Sequence, residues 1–246
     1  MERILIIGCG RSGTKYTKML FTLAGLKVGH EKDAENGTVD WHKTCEKDPA
    51  YGVTLHQVRD PLKVISSCHT IMGRSWDFIC KNEPKIIRGE PLLLRCMKYW
   101  FYWNQRAQVN ARWSYRVESL PKVFPKILKE MGAKVPGKKA AQKISSLPKT
   151  VHSRSKSDVY GPVLTYNGLI EAHPVMGGVI KELALAYGYK EESDEEGLHQ
   201  PGITEHNGDG SDRSSPGDAD SKPVLGSGGS DGAPAELGIS DDNAPA

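Results

Sequence analysis

The chain of 246 residues contains no run of 18 apolar residues, so no helix long and apolar enough to cross a bilayer is expected. Its five cysteines, Cys9, Cys45, Cys68, Cys80 and Cys96, form no C-x-x-C pair and show no zinc-like spacing with histidine. An odd, scattered set favours reduced thiols in a cytoplasm, and no metal-binding cluster is visible. The first apolar run opens at Ile4, so no secretory leader is expected ahead of it. Residues 191–246 lack aromatics altogether and carry 14 acidic residues against two basic ones, Arg213 and Lys222. Such a composition buries too little apolar surface to offset chain entropy. The expected organisation is therefore one folded domain over residues 1–190 followed by a disordered acidic tail over 191–246.

Setting the tail aside changes the charge. The whole chain has a formal charge of +3, but residues 1–190 hold 33 − 2 = 31 basic and 30 − 14 = 16 acidic residues, or +15. So basic a domain suits a polyanionic ligand, while the tail neutralises it for solubility or screens its surface.

The most informative stretch runs from Ile4 to Tyr16. The apolar run Ile4 to Ile7 enters Gly8-Cys9-Gly10-Arg11-Ser12-Gly13-Thr14, after which Tyr16, Met19, Leu20 and Leu23 recur at helical spacing. A strand, a glycine loop and a helix in that order aim backbone N–H groups and a positive helix end at one point, where a phosphate can sit. The nucleotide-triphosphatase signature requires G-K-[ST] at the loop's end, and here Thr14 intervenes between Gly13 and Lys15. A second β-turn-α unit follows at Val53 to Ser67, with Arg59-Asp60-Pro61 at the turn. Between the two, Leu26 to Gly29 reads as a short strand ending in His30-Glu31, two capable bases at the carboxyl end of the sheet. Residues 32–52 read as a polar loop over the site, with Trp41 and His42 placed to meet a substrate.

Farther on, a helix is expected from Leu92 to about Ala111. Its aromatic run Tyr99-Trp100-Phe101-Tyr102-Trp103 is read as core rather than as a stacking surface. A strand over Trp113 to Glu118, a helix from about Leu120 and a closing helix from Pro174 to Tyr187 complete the domain, with Glu118 read as structural. Residues 69–91 are read as an irregular or partly helical excursion, and 132–158 as a mobile basic segment.

The G-x-x-x-S-G-T loop resembles the 5′-phosphosulfate loop of sulfotransferases, and Arg59 with Ser67 resembles that family's 3′-phosphate motif. Gly29-His30-Glu31 is similar to a segment of bacterial sulfotransferase-like proteins. The resemblance implies an α/β fold of three layers, α/β/α, with a mostly parallel central sheet like that of P-loop NTPases. It implies 3′-phosphoadenosine 5′-phosphosulfate as co-substrate and no metal. Gly10, Arg11, Ser12, Gly13, Thr14 and Lys15 would hold the 5′-phosphosulfate, and Arg59 with Ser67 the 3′-phosphate. Glu31 would deprotonate a hydroxyl-bearing acceptor of unknown class, carbohydrate among those open, with His30 as the alternative base and Arg11 supplying charge. Arg154 and Lys156 are candidates for further phosphate contacts by position. Lack of the membrane anchor of animal Golgi relatives points to a cytoplasmic protein of bacterial or phage type, with nucleic acid not the expected partner. Two alternatives stay open: a P-loop kinase of a small molecule or nucleotide, against which the absent G-K-[ST] and magnesium-binding aspartate count, and a noncatalytic anion-binding protein.

Overall fold

Ile4–Ile7 is apolar at all four positions, and in the computed structural model it forms the central strand β1, fully buried on both faces. Residues 1–45, 48–146 and 164–190 are described. Helix α1 (Thr14–Leu23) follows β1, then strands β2 (Val28–His30) and β3 (Gly37–Val39), a 3₁₀ turn at His42–Cys45, and β4 (Val53–Val58). Helices α2 (Pro61–Cys68), α3 (Gly73–Asn82) and α4 (Leu92–Asn110) lead to β5 (Ser114–Arg116). The described chain closes with α5 (Leu120–Glu130), α6 (Lys138–Ser146), α7 (Tyr166–Ala172) and α8 (Pro174–Ala186).

All five strands are parallel, in the order β2-β3-β1-β4-β5. The sheet is the middle of three layers. Ile4 and Ile6 pack with Leu20, Phe21, Phe124 and Ile127 of α1 and α5 on one face. Leu5 and Ile7 point the other way, toward Ala107 of α4. On that side α2, α4 and α8 bury Val64, Ile65, Trp100, Trp103 and Ile180 around Val58. Because β1 connects toward β2 on one side and β4 lies on the other, the loop after β1 sits where the strand order reverses, the place ligands of open α/β sheets occupy.

The expected sheet holds, with one correction. Residues 32–52 are not only a loop: Gly37–Val39 is a strand inserted between β1 and β2, paired with both. Gly37 fits there because a Cβ at its φ of +125° would lie 1.8 Å from Ile4 O. The stretch 69–91 contains a ten-residue helix, α3. Expectations for residues 147–163, including Arg154 and Lys156, and for 191–246 lie outside the described residues.

Three of the five aromatics in the α4 run are core, and Phe101 and Tyr102 are partly buried against it. Tyr99, Trp100 and Trp103 are at most 1% exposed. Their polar tips do something the spacing alone did not reveal. The Gly10 amide donates to Tyr99 OH at 2.8 Å, Trp100 Nε1 donates to Arg59 O at 3.1 Å, and Trp103 Nε1 donates to Trp41 O at 2.9 Å. One helix thus grips the loops at the ends of β1, β4 and β3, using rings that bury apolar area and still satisfy a polar atom.

Candidate active site

The glycine loop, Arg59 and the His30-Glu31 pair all lie at the carboxyl ends of the strands, the first two on loops that α4 grips. The loop after β1 is held from below by Gln57 of β4. Gln57 Nε2 donates to Ser12 O at 2.6 Å, while Gln57 Oε1 accepts from Thr17 Oγ1 and, at 2.9 Å, from Tyr115 OH. This buried amide has its partners on the loop, on α1 and on β5, so it fixes the height of the loop above the sheet. Gly8 lets the loop leave β1 against β4, since a Cβ there would stand 2.2 Å from Gln57 O.

At the loop's far end Gly13 caps α1 in the left-handed region (φ 84°), with no side chain to bond the first amides of the helix. Ser12 is fully buried and its Oγ has no partner among the described residues. An orphaned hydroxyl at that depth costs about 1–3 kcal/mol, which an anion oxygen accepting from it would recover. Together the open helix end and the waiting hydroxyl fit a phosphate or phosphosulfate. Gly10 differs from expectation in detail. Its amide is given to Tyr99, so its smallness serves the contact with α4, where a Cβ would approach Tyr99 OH to 2.8 Å.

Arg11 and Arg59 are brought together. Arg59 Nη1 donates to Arg11 O at 2.8 Å, and Arg11 Nη2 donates to Thr70 O at 3.2 Å, three residues beyond Ser67. The Thr70 amide and hydroxyl bond in turn to Ser67 O, at 3.2 and 2.8 Å. Arg59 does not pair with Asp60. Asp60 caps α2, its Oδ1 accepting the Leu62 amide at 2.9 Å, and its own amide lies 3.4 Å from Glu118 Oε1. Glu118 also accepts from Tyr189 OH at 2.9 Å, so it is structural, as its position suggested.

His30 and Glu31, neighbours in sequence, face different partners. His30 Nε2 lies 2.8 Å from Thr14 Oγ1, whereas Glu31 Oε1 accepts from Trp41 Nε1 at 3.0 Å. The divergence comes from the backbone, since Glu31 is left-handed at φ 56°. Among the described residues only Arg11 (φ 68°) and Glu31 combine a side chain with positive φ. Each such residue costs about 1–2 kcal/mol, and strain of this kind collects at functional sites. Burial lowers the pKa of His30, against the raising effect of Glu31, so the imidazole is neutral near pH 7. Lys15 is exposed nearby, and its charge acts in the same direction as burial.

Sequence reasoning missed three groups. Gln57 and Tyr99 hold the loop, and Asp40, at the end of β3, orients His42 by accepting at 2.9 Å from its backbone amide and lying 2.9 Å from its Nδ1. The one available signal was Gln57 itself, an uncharged polar residue in an apolar strand. A cavity of about 460 Å³ lies against β5 and the ends of α4 and α8. A smaller one of about 180 Å³ opens beside Asp60, with Leu62, Tyr166, Tyr189 and Lys190 around it. Among the described residues no cluster of three or more histidine, cysteine or acidic side chains could hold a metal ion, and no helix is long and apolar enough to cross a membrane.

No protein family matches the chain by sequence, and no curated protein does. Among solved structures, the chain is similar to a sulfotransferase domain from the curacin biosynthetic pathway, with a TM-score of 0.43 and 11% identity over 77% of this chain and 98% of that one. It is also similar to mouse sulfotransferase SULT7A1 complexed with PAP, with a TM-score of 0.36 and 13% identity over 76% of this chain and 83% of that one.

Proposed function

We propose that the chain transfers a sulfuryl group from 3′-phosphoadenosine 5′-phosphosulfate to an acceptor hydroxyl. The observation that carries this reading is the loop after β1: an uncapped helix N-terminus, with a fully buried hydroxyl that has no partner among the described residues, tied to a second anion motif through the Arg59–Arg11 hydrogen bond. One anion site would serve many ligands. Two sites joined in this way suit a donor carrying phosphates at both ends, with Arg59 able to offer forked charge-assisted hydrogen bonds and Ser67 a neutral one. The purine would lie toward Tyr166 and Tyr189, in the small cavity beside Asp60.

In the reaction the acceptor oxygen forms a bond to sulfur as the bond from sulfur to the phosphate oxygen breaks. The acceptor's proton passes to the Glu31 carboxylate, which Trp41 Nε1 holds in place at the strained turn. Charge developing on the leaving phosphate meets the α1 amides, the Ser12 and Thr14 hydroxyls and the cations Arg11 and Lys15. Positioning and electrostatics supply the rate, as in phosphoryl transfer.

Calorimetric titration with adenosine 3′,5′-bisphosphate, set against ATP with magnesium, tests the donor. The bisphosphate is expected to bind more tightly, and preference for ATP overturns the reading in favour of a kinase. Glu31→Gln is expected to leave bisphosphate affinity within about twofold while lowering transfer by about 10²–10⁴, the usual worth of a general base. An unchanged transfer rate would remove Glu31 from the mechanism.

A further inference from the structure

His30 and Glu31 are both chemically able to act as a base, and the structure gives them separate work. Thr14 is the first residue of α1, and its hydroxyl stands beside the anion cradle, 2.8 Å from His30 Nε2. A hydroxyl has one proton to give and two lone pairs to receive with. If Nε2 is bare, Thr14 spends its only proton on the imidazole and turns lone pairs toward an incoming anion. If Nε2 carries the proton, His30 donates to Thr14 Oγ1, and the threonine proton is left for the anion. Glu31 Oε1, 3.8 Å from the same nitrogen, favours the second arrangement by its charge. The remaining charged groups acting on His30 are Lys15, Asp40 and Lys18, and their effects on its protonation oppose one another.

We propose that His30 is a positioning residue for the donor loop and not the base: as the neutral Nε2–H tautomer it donates to Thr14 and so aims the Thr14 proton into the anion cradle. The assignment rests on the donor reading above and goes beyond it by closing the choice between the two bases. The left-handed Glu31 makes the split possible, sending the carboxylate to Trp41 while leaving the imidazole on the donor side.

Titration of wild type, His30→Ala, Thr14→Ala, the double variant and His30→Gln with adenosine 3′,5′-bisphosphate tests it. Each alanine change is expected to weaken binding about tenfold, and the double variant no more than the weaker-binding single one, because the two residues act as one contact. His30→Gln, whose amide can still donate to Thr14, is expected to recover most of the loss. In the free protein, ¹⁵N shifts of the imidazole at pH 7 should show Nε2 protonated and Nδ1 bare. Tight wild-type binding that His30→Ala leaves unchanged, or the opposite tautomer, overturns this assignment alone. A wild type that does not bind the bisphosphate overturns the donor reading and this assignment with it.

Discussion

At the start of α1 the cap is Gly13, left-handed and without a side chain, so the first amides of the helix point into the loop with no side chain among the described residues capping them. At the start of α2, Asp60 Oδ1 accepts the Leu62 amide at 2.9 Å and Pro61 occupies the first turn, where its missing N–H costs nothing. Both helices follow neighbouring parallel strands of one sheet. Only the first is left open, so a helix terminus is free to recruit an anion at α1, whereas an anion held at α2, as proposed for Arg59 and Ser67, would rely on side chains. The difference also explains where strain is stored: Arg11 is left-handed in the open loop, while the closed turn at Asp60 contains no residue with positive φ.

The sharpest way to break this comparison is to close the open end. Gly13→Asp places a carboxylate where the anion is expected and supplies the missing cap. Aspartate tolerates the left-handed region better than most residues, and the nearest atom to its Cβ would be Val117 Cγ2 at 3.1 Å. The helix dipole favours the new charge, so the fold should survive. Bisphosphate affinity is expected to fall at least 100-fold by calorimetry. Binding within a few-fold of wild type would show that the anion does not use the α1 terminus.

The closed unit carries a cost of its own, visible in pH. His56 of β4 is enclosed beneath it: Nε2 lies 3.0 Å from Asn104 Oδ1, Nδ1 lies 2.9 Å from Ser114 Oγ, and the Asn104 amide is already given to Trp100 O at 2.7 Å. Asn104 Oδ1 must therefore accept, which assigns the proton to Nε2 and makes Nδ1 the acceptor from Ser114. Burial lowers this imidazole from 6.5 to about 4. The unfolded chain binds the proton first, so the contribution is whole above about 6.5 and is lost as pH falls to about 4. The gap is worth about 3 kcal/mol at about 1.4 kcal/mol for each pH unit. Denaturant unfolding of wild type across pH 7 to 4, compared with His56→Gln, should show a slope that the variant lacks. Equal slopes would place the acid sensitivity elsewhere.

How much of this could be read beforehand differs between the same regions. β1 and β4 announce themselves by apolar runs, and the glycine loop and Arg59-Asp60-Pro61 by turn chemistry, because these signals are local. β3 was hidden because three residues opening with Gly37 carry no period, and their strand pairing comes from Ile4–Ile6 lying alongside. His30 and Glu31 were legible as a pair, yet their separate partners depend on one backbone angle and lie ten to sixteen residues away. Tyr99 was silent as a site residue, and Gln57 showed only as a polar residue in an apolar strand, for a similar reason. A tyrosine in an aromatic helix and a glutamine in a strand acquire their role only when tertiary packing sets one against Gly10, 89 residues away, and the other against Ser12.

The smallest effect tests the comparison from its closed side. Asp60→Ala removes the α2 cap and should cost about 1 kcal/mol, the usual worth of such a cap. For a domain of this size that is a fall of about 2–4 °C in Tm. The accompanying Lys63 contact, 3.5 Å from Asp60 Oδ2 and largely exposed on the lysine side, adds little. Bisphosphate affinity is expected to stay within about twofold, since the freed Leu62 amide would open a helix end to which no anion is assigned. A gain in affinity would mean that an uncapped α2 accepts a phosphate as α1 does, and that the cap is what keeps the second site dependent on Arg59. A loss as large as that expected for Gly13→Asp would mean instead that Asp60 holds Arg59 in place through the shared turn, so that the closed end serves the donor as directly as the open one.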